Sequence, residues 1–447
     1  MINETIILLI YYYNQEDCNH RSLKYAKNYC GAYLPFNLYL YEPLQNIFSK
    51  VILYDYLNRR AEIGIKAMNE EIIALLRREH AKYVLWTSWQ YDIQESTLEI
   101  IREEGSIVVG WFFDDEWRFN SYSKYWVPYL DYCVTNAIEA VPKYKDLGAQ
   151  VIQTIPNTGI AVNRDWLNIE ERYEVSFVGS IDFTDRKQYI DKLKRRNIPV
   201  YSFGEGSGGY VSFDQMLDIF GASKINLNFS KAGPPGPQRW EKQVKGRVFQ
   251  VCMAGGFLLT EYAPGTEKYF DIDKEIVCFE NAEEMTDKII YYLNHETERR
   301  AIAQAGWKRA TGEYTSFHMI AKVFSEIEQD VAAGSNKGNL NPQKLKMPML
   351  TRLVLPSEYH LQWGRALFEE NYKEDLWKDA LALSLSYSPF NIGAWYYYVA
   401  SFLPTFMRPA SFKLYRAIEK LLRALLSELG SLPYLRKMKQ SLTERLL

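Results

Sequence analysis

Short apolar runs alternate with amphipathic stretches along the first 330 or so residues of the chain. The runs are rich in Val, Ile, Leu and aromatic residues, which is typical of strands buried on both faces. In the first part of the chain they begin at Ile6, Val51, Lys82, Ile107, Asp131 and Val151. Helices are predicted between them over 61–78, 96–104 and 137–147. Apolar strands that alternate with helices predict a parallel, doubly wound sheet.

The alternation restarts after a polar segment, 156–172, in which Pro, Gly and Asn cluster. New strands are predicted at Val175, Val200, Ile225, Phe257 and Ile276, and helices over 186–196, 213–220, 282–294, 297–311 and 317–333. We therefore predict an α/β protein with two Rossmann-like domains in tandem, residues 1–160 and 161–333. Open α/β sheets bind ligands at the carboxyl ends of their strands, so the expected site is a cleft between these domains.

A polar linker, 334–348, leads into a purely helical extension, 349–447. From residue 401 onward the extension carries nine Lys and Arg against three Glu, a net charge of +6 interleaved with apolar residues. One interpretation is an amphipathic tail that lies on an anionic membrane surface. The other is a helical cap packed on the second domain.

The composition is that of a globular protein, with 47% hydrophobic and 24% charged residues. A net charge of −2 argues against a general nucleic-acid binder, which would be strongly basic. The five Cys are scattered without metal-ligand spacing, as expected of free thiols in a reducing compartment. The sequence shows neither a signal-peptide pattern nor an apolar stretch long enough to cross a bilayer. We expect a cytoplasmic protein, peripheral on the inner face of the cell membrane if the tail binds lipid.

The segment Lys245–Glu261 combines the features expected of a ligand site. It reads as a helix with Lys245 and Arg247 at its start, ended by Gly255-Gly256 and followed by a strand that ends in Thr260-Glu261. A double glycine suits the left-handed end of a helix, and cations in the first turn suit a phosphorylated ligand. The alternative is an ordinary helix–strand unit with a solvated basic turn.

Three consecutive acids, Asp114, Asp115 and Glu116, follow a predicted strand of the first domain and are flanked by Trp111 and Trp117. Such surroundings can raise a carboxyl pKa and stack a sugar ring, which would suit a general base. A solvated acidic loop that caps the following helix is one alternative, and a metal site is another.

On the residues Gly246–Glu261 the chain resembles bacterial glycosyltransferases of group 1 with the GT-B fold, in particular their spore-maturation branch. Segment 175–180 is similar to the first donor-domain strand and loop of that family, and segment 111–117 to an acceptor-domain element. The resemblance implies transfer of a sugar from a nucleotide sugar to a glycan, lipid-linked glycan or protein acceptor in polysaccharide biosynthesis. It also implies no obligatory metal and no cofactor other than the nucleotide-sugar co-substrate.

The resemblance further implies roles for individual residues. Lys245 and Arg247 would stabilise the leaving diphosphate. If the reaction inverts the anomeric centre, Asp114 is our hypothesis for its base. Gly179-Ser180 would bring backbone N–H groups close to the diphosphate. The other residues implied to contact the nucleotide are Gly204, Ser230, Gln250, Thr260 and Glu261. Spare cations nearby are Lys231, Arg239 and Lys242.

Gln250 departs from the pattern of the family, which places a ribose-binding glutamate there. An amide oxygen can accept one hydroxyl hydrogen bond, but it lacks the charge and the second equivalent oxygen. Gln250 could instead be a helix-surface amide, and Glu261 a strand-end surface acid. Lys242 stands where retaining relatives have a second glutamate. Two alternatives therefore stay open, a nucleotide-sugar epimerase of the same fold and a catalytically silent sugar- or nucleotide-binding scaffold in a glycan-assembly complex.

Overall fold

The computed structural model describes residues 2–10, 37–88, 90–156, 165, 170–204, 206–209, 211–232, 240–334, 340, 349–369, 374–389 and 391–400. The first sheet consists of β1 (Ile2–Ile10), β2 (Phe48–Asp55), β3 (Tyr83–Ser88), β4 (Ile107–Phe112), β5 (Tyr132–Thr135) and β6 (Val151–Gln153). All its strand pairs are parallel, in the order β2-β1-β3-β4-β5-β6. The central strands β3 and β4 are buried along their whole length, as their apolar runs predict.

The helices of this domain are α1 (Glu42–Gln45), α2 (Tyr56–Ile63), α3 (Ile65–Glu79), α4 (Glu95–Glu103), α5 (Asp115–Arg118) and α6 (Val141–Asp146). The single helix predicted over 61–78 is wrong, because the chain breaks at Gly64 between α2 and α3. Gly64 has φ +89°, a conformation that glycine adopts at low cost and other residues do not. The apolar periodicity continues through the break, so the pattern alone does not reveal it.

The second domain contains β7 (Tyr173–Val178), β8 (Val200–Phe203), β9 (Ser223–Asn228), β10 (Lys231–Ala232), β11 (Glu241–Lys242), β12 (Leu258–Glu261) and β13 (Val277–Phe279). Its helices are α7 (Arg186–Arg195), α8 (Phe213–Gly221), α9 (Gly246–Met253), α10 (Ala282–Asn294), α11 (Glu296–Glu313) and α12 (Ser316–Ala332). Five strands form a parallel sheet in the order β13-β12-β9-β7-β8, while β10 and β11 pair antiparallel beside it.

Both sheets are wound in the same way, and the predicted pair of doubly wound domains is confirmed. In each sheet the first strand lies between the second and the third, so the order reverses between β1 and β3 and between β7 and β9. Each sheet has a hydrophobic core on both faces. Because helices leave such a reversal on opposite faces, a crevice opens at the carboxyl ends of these strands.

Helix α12 follows the second sheet in sequence but packs on the first. Its residues Ile320, Val323 and Phe324 are buried in the same core as strands β1 and β3. The ring of Phe324 meets that of Phe48 edge to face, with 4.8 Å between the ring centres. The last helix of the tandem pair therefore returns to the first domain and ties the two domains together.

The extension contributes α13 (Met349–Glu369), α14 (Glu374–Tyr387) and α15 (Ile392–Ala400). These helices share a small core with Ile65 of α3, so they pack on the first domain. Both interpretations of the basic tail, membrane binding and a cap on the second domain, concern residues 401–447. The basic segment 401–447 lies outside the described residues. Among the helices that the structure describes, none combines the length and the apolar character needed to span a bilayer.

Candidate functional site

Three cations converge at the strand reversal of the second sheet. Lys245 and Arg247 come from the start of α9, and Arg186 is the first residue of α7. Lys245 Nζ donates to the Lys231 carbonyl oxygen at 2.8 Å, and Arg247 donates to the Val178 carbonyl oxygen at the end of β7. Arg186 Nη1 donates to a carbonyl oxygen of the loop after β7 at 3.0 Å. The structure thus brings both predicted cations together and adds a third.

The side chains of these three cations lie close together and are partly or fully buried. Burial, followed by the nearby Arg186 charge, lowers the pKa of Lys245 to about 7. Burial, followed by the charge of Arg247, lowers the pKa of Arg186 to about 10. Lys245 and Arg247 are half-buried and donate hydrogen bonds to backbone carbonyls, so the basic turn is not fully solvated. Since an anion would offset both the burial and the mutual repulsion, the arrangement is suited to bind one.

Buried polar atoms without a hydrogen bond surround the same place. Among the described residues, the atoms Thr184 Oγ1, Arg186 Nε, Gln243 Oε1 and Glu261 Oε1 make no hydrogen bond. Buried polar groups are almost always paired in folded proteins. The four atoms come from the start of α7, the segment before α9 and the end of β12, the same parts of the domain that carry the three cations and Glu261.

Glu261 is an inward-facing carboxylate. Its exposed fraction is 2%, so the interpretation as a strand-end surface acid is wrong. Its Oε2 accepts from the Ser230 backbone N–H at 3.0 Å, and its Oε1 lies 3.7 Å from the ammonium groups of both Lys231 and Lys242. Glu261 therefore holds the cationic segment around β10 and β11 against the end of β12. The spare cation Arg239 lies outside the described residues.

The glycines of the site provide space. Gly179 has φ +157°, and a Cβ built on it would stand 3.0 Å from Arg247 Nη1. Gly204 has φ +115°, and a Cβ there would stand 2.7 Å from the Gly179 carbonyl oxygen. The Gly179 N–H donates to the Phe203 carbonyl oxygen at 2.7 Å, so it is engaged in strand pairing. The two glycines let the loops after β7 and β8 pack together and let Arg247 approach them.

Two other residues that were predicted to contact the nucleotide, Thr260 and Ser230, form hydrogen bonds within the protein. Thr260 Oγ1 accepts from Asn228 Nδ2 at 2.9 Å across neighbouring strands. Ser230 is buried, and its hydroxyl lies 3.4 Å from the carbonyl oxygen of Tyr262. The Ser180 carbonyl, in turn, is the acceptor for Arg186. These groups shape the edge of the sheet and position its charged residues.

Gln250 bridges the two domains. Its exposed fraction is 5%, which rules out the helix-surface interpretation. Its Nε2 donates to the hydroxyl of Tyr39, in the first domain, at 2.8 Å. Tyr39 is fully buried, and burial raises the pKa of its hydroxyl.

Asp114 faces the cations from the first domain. It follows β4 and has φ +60°, a left-handed conformation that is uncommon for residues other than glycine. Its Oδ1 lies 3.4 Å from Gln243 Nε2, and its charge favours the protonated form of Lys245. The candidate base and the candidate phosphate cation are thus close enough to interact electrostatically across the domain interface. Strained backbone of this kind is concentrated at functional sites.

The two acids after Asp114 have different surroundings. Asp115 is buried and accepts hydrogen bonds from Thr135 Oγ1 at 2.7 Å and Tyr144 OH at 2.9 Å, so it anchors α5 to the domain. Burial, followed by the charge of Asp114, raises the pKa of Glu116 to about 8. Asp115 is buried and Asp114 and Glu116 are half-buried, so the three acids do not form a fully solvated loop.

Two residues of the site were not singled out by the sequence. Arg186 could have been found from the sequence, because it follows the loop after a strand and is the first residue of a predicted helix. The N-terminus of a helix at such a position commonly binds anions. For Tyr39 no local signal exists, because its partner Gln250 is distant in sequence and only the fold brings the pair together.

Two Rossmann-like domains joined by a last helix that returns to the first domain form the arrangement known as GT-B. Within the chain, residues 186–325 match a protein-family model described as glycosyl transferase-like. The matched segment runs from α7 into α12 and includes Arg186, Lys245 and Arg247. A search of curated proteins found no match to the chain.

Solved structures with a similar fold include several transferases. The pneumococcal O-GlcNAc transferase GtfA, in complex with UDP and GlcNAc, is 8% identical with a TM-score of 0.41, over 58% of this chain and 60% of the other. Sucrose-phosphate synthase from Thermosynechococcus elongatus is 8% identical with a TM-score of 0.47, over 74% and 100%. Anabaena HepE in complex with UDP is 7% identical with a TM-score of 0.46, over 73% and 100%. The chain thus spans less than two thirds of the first of these proteins.

Proposed function

We propose that the protein is a glycosyltransferase whose second domain binds a nucleotide-sugar donor. The observation that carries the proposal is the crowding of Arg186, Lys245 and Arg247 at the strand reversal, inside the segment that matches the glycosyl transferase-like model. A nucleoside diphosphate gains negative charge as it leaves, and preorganised cations stabilise such charge strongly. Arginine offers a bidentate fork to phosphate, whereas lysine contributes a point charge.

The acceptor is proposed to be a glycan, a lipid-linked glycan or a protein that approaches from the first domain. Its hydroxyl oxygen forms a bond to the anomeric carbon while the bond from that carbon to the diphosphate oxygen breaks. The bonding electrons leave with the diphosphate, where the cations stabilise them without requiring a metal. Asp114 takes the hydroxyl proton, as the general base that an inverting transfer requires.

Donor binding is tested by thermal unfolding in the presence of UDP, GDP, dTDP, CDP or CMP. A ligand that binds only the folded protein raises the apparent melting temperature by mass action. We expect one nucleoside diphosphate to raise it for the wild type and to have little effect on Arg247→Ala. Lys274→Ala, which changes an exposed lysine of the same domain, is the control and should respond as the wild type does. If none of the nucleotides shifts the transition of the wild type, the proposed function is wrong.

The role of Asp114 is tested by Asp114→Asn, which keeps the shape of the side chain but removes its basicity. We expect the rate of nucleoside-diphosphate release from the donor to fall about 10²–10⁴-fold. Nucleotide affinity should change little or rise slightly, because a negative charge near Lys245 is lost. Steady-state kinetics and calorimetry measure the two quantities separately. A variant that turns over at nearly the wild-type rate would show that another group accepts the proton.

A further inference from the structure

A tyrosine from the core of the first domain contacts the second domain near Arg247. Tyr39 lies on a short helical turn, Asn37–Tyr41. Its ring meets that of Phe213, at the start of α8, edge to face with 6.1 Å between the ring centres. Its hydroxyl accepts from Gln250 Nε2 on α9 at 2.8 Å. Tyr39 therefore contacts two helices of the second domain, and both partners of the hydrogen bond are buried.

This contact lies close to Arg247, one of the three cations that we propose bind the diphosphate. Gln250 comes three residues after Arg247 on α9, and residues at that spacing share one face of a helix. Burial raises the pKa of the Tyr39 hydroxyl, and the charge of Arg247 is near enough to oppose that effect. The hydroxyl of Tyr39 thus occupies the neighbourhood in which the resemblance places the nucleotide ribose.

We propose that Tyr39 and Gln250 form a latch between the domains, which a nucleotide must open before its ribose reaches α9. The inference rests on the proposed function, because it assigns a gate to the same donor site. With the latch closed, the Gln250 amide donates to Tyr39 and is not available to a ribose hydroxyl. The apparent affinity for a nucleotide is then reduced by the fraction of molecules in which the latch is open.

Tyr39→Phe tests the latch. The phenyl ring keeps its packing against Phe213, while the buried Gln250 amide loses its acceptor in the closed form. Leaving a buried donor unpaired costs enough to favour opening several-fold. We expect the affinity for UDP and GDP, each titrated by calorimetry, to rise about fivefold for the one that binds. Without nucleotide, the radius of gyration measured by small-angle scattering should increase.

Tyr41→Phe is the matched control, since it removes a hydroxyl from the same turn outside the latch. It should leave both affinity and radius of gyration unchanged. Gln250→Met, which breaks the hydrogen bond from the other side, should reproduce the increase in radius. Unchanged or weaker nucleotide affinity in Tyr39→Phe would overturn the latch. If the wild type binds no nucleotide, the proposed function is wrong. An unchanged radius of gyration in both Tyr39→Phe and Gln250→Met would overturn the latch independently of nucleotide binding.

Discussion

Replacing Lys245 with alanine is expected to lower the rate of donor cleavage about 10²–10³-fold, the usual loss when one stabiliser of a developing anion is removed. The Lys245 ammonium donates to the Lys231 carbonyl oxygen, and the charges of Arg186 and Asp114 both act on it. Alanine would remove this cation from the departing diphosphate. Single-turnover release of nucleoside diphosphate from the donor measures the loss. Lys274→Ala should keep the wild-type rate. A loss of less than tenfold would place Lys245 outside the reaction.

The same lysine should make nucleotide binding depend on pH. Its pKa is about 7 in the free site because burial and Arg186 oppose its charge. A bound diphosphate favours the charged form, so the pKa of Lys245 must rise on binding. Below pH 7 the lysine is already protonated, so it adds no further pH dependence to the affinity. As the pH rises above 7, binding requires uptake of a proton, and affinity should fall about tenfold per pH unit.

Calorimetry at pH 8 in two buffers of different ionisation enthalpy would detect this uptake as a difference in the apparent heat of binding. In Lys245→Arg the guanidinium stays charged to well above pH 9, so both the uptake and the pH dependence should disappear while binding persists. A wild type whose affinity is constant from pH 6 to pH 9 would contradict the assignment.

The fold was predictable because its signals are local. Each strand of both sheets is a short apolar run, and the alternation with helices determines a doubly wound arrangement without knowledge of distant contacts. Gly255, at the end of α9, takes the left-handed conformation that its position after an apolar helix predicts. Gly64 also has a positive φ, but it lies in the middle of an apparently continuous helical pattern. The pattern continues through it, so the break could not be predicted.

Residues of the candidate site could be indicated from the sequence where a local pattern singles them out. Lys245, Arg247 and Glu261 belong to one helix–strand segment, and the sequence indicates all three. The hydrogen bond of Gln250 depends on Tyr39, and the low pKa of Lys245 depends on burial and then on Arg186. Both effects arise from tertiary packing. The spacing of residues along one segment gives no information about such packing.

The helical extension is attached to the first domain by a buried network of charged and aromatic groups. The guanidinium of Arg60, on α2, forms an ion pair with Asp92 and lies 4.0 Å above the ring of Trp363 on α13. The hydroxyl of Tyr359, also on α13, lies 2.8 and 2.9 Å from the two carboxylate oxygens of Asp92. The side chains of Arg60 and Asp92 are only 5% and 2% exposed, so neither charge has an alternative partner in bulk water.

Arg60→Ala is therefore expected to lower the free energy of unfolding by about 3–5 kcal/mol, because it leaves the Asp92 carboxylate buried without its cation. Urea unfolding followed by tryptophan fluorescence measures the loss. Arg59→Ala is the matched control on the same helix. Arg59 pairs with Glu62 and Glu71 at the surface, and losing such pairs costs about 1 kcal/mol or less.

The double variant Arg60→Ala/Asp92→Asn separates the charge from the packing. If the cost of Arg60→Ala comes from the stranded carboxylate, neutralising Asp92 should recover part of it, so the double variant should lose less than the sum of the two single variants. Asp92 follows β3 and is held by Asn69, whose Nδ2 donates to the Asp92 carbonyl oxygen at 2.9 Å. The network thus connects the extension to the carboxyl edge of the first sheet, where we propose that the acceptor binds. A loss below about 1 kcal/mol for Arg60→Ala would mean that apolar contacts alone hold the extension.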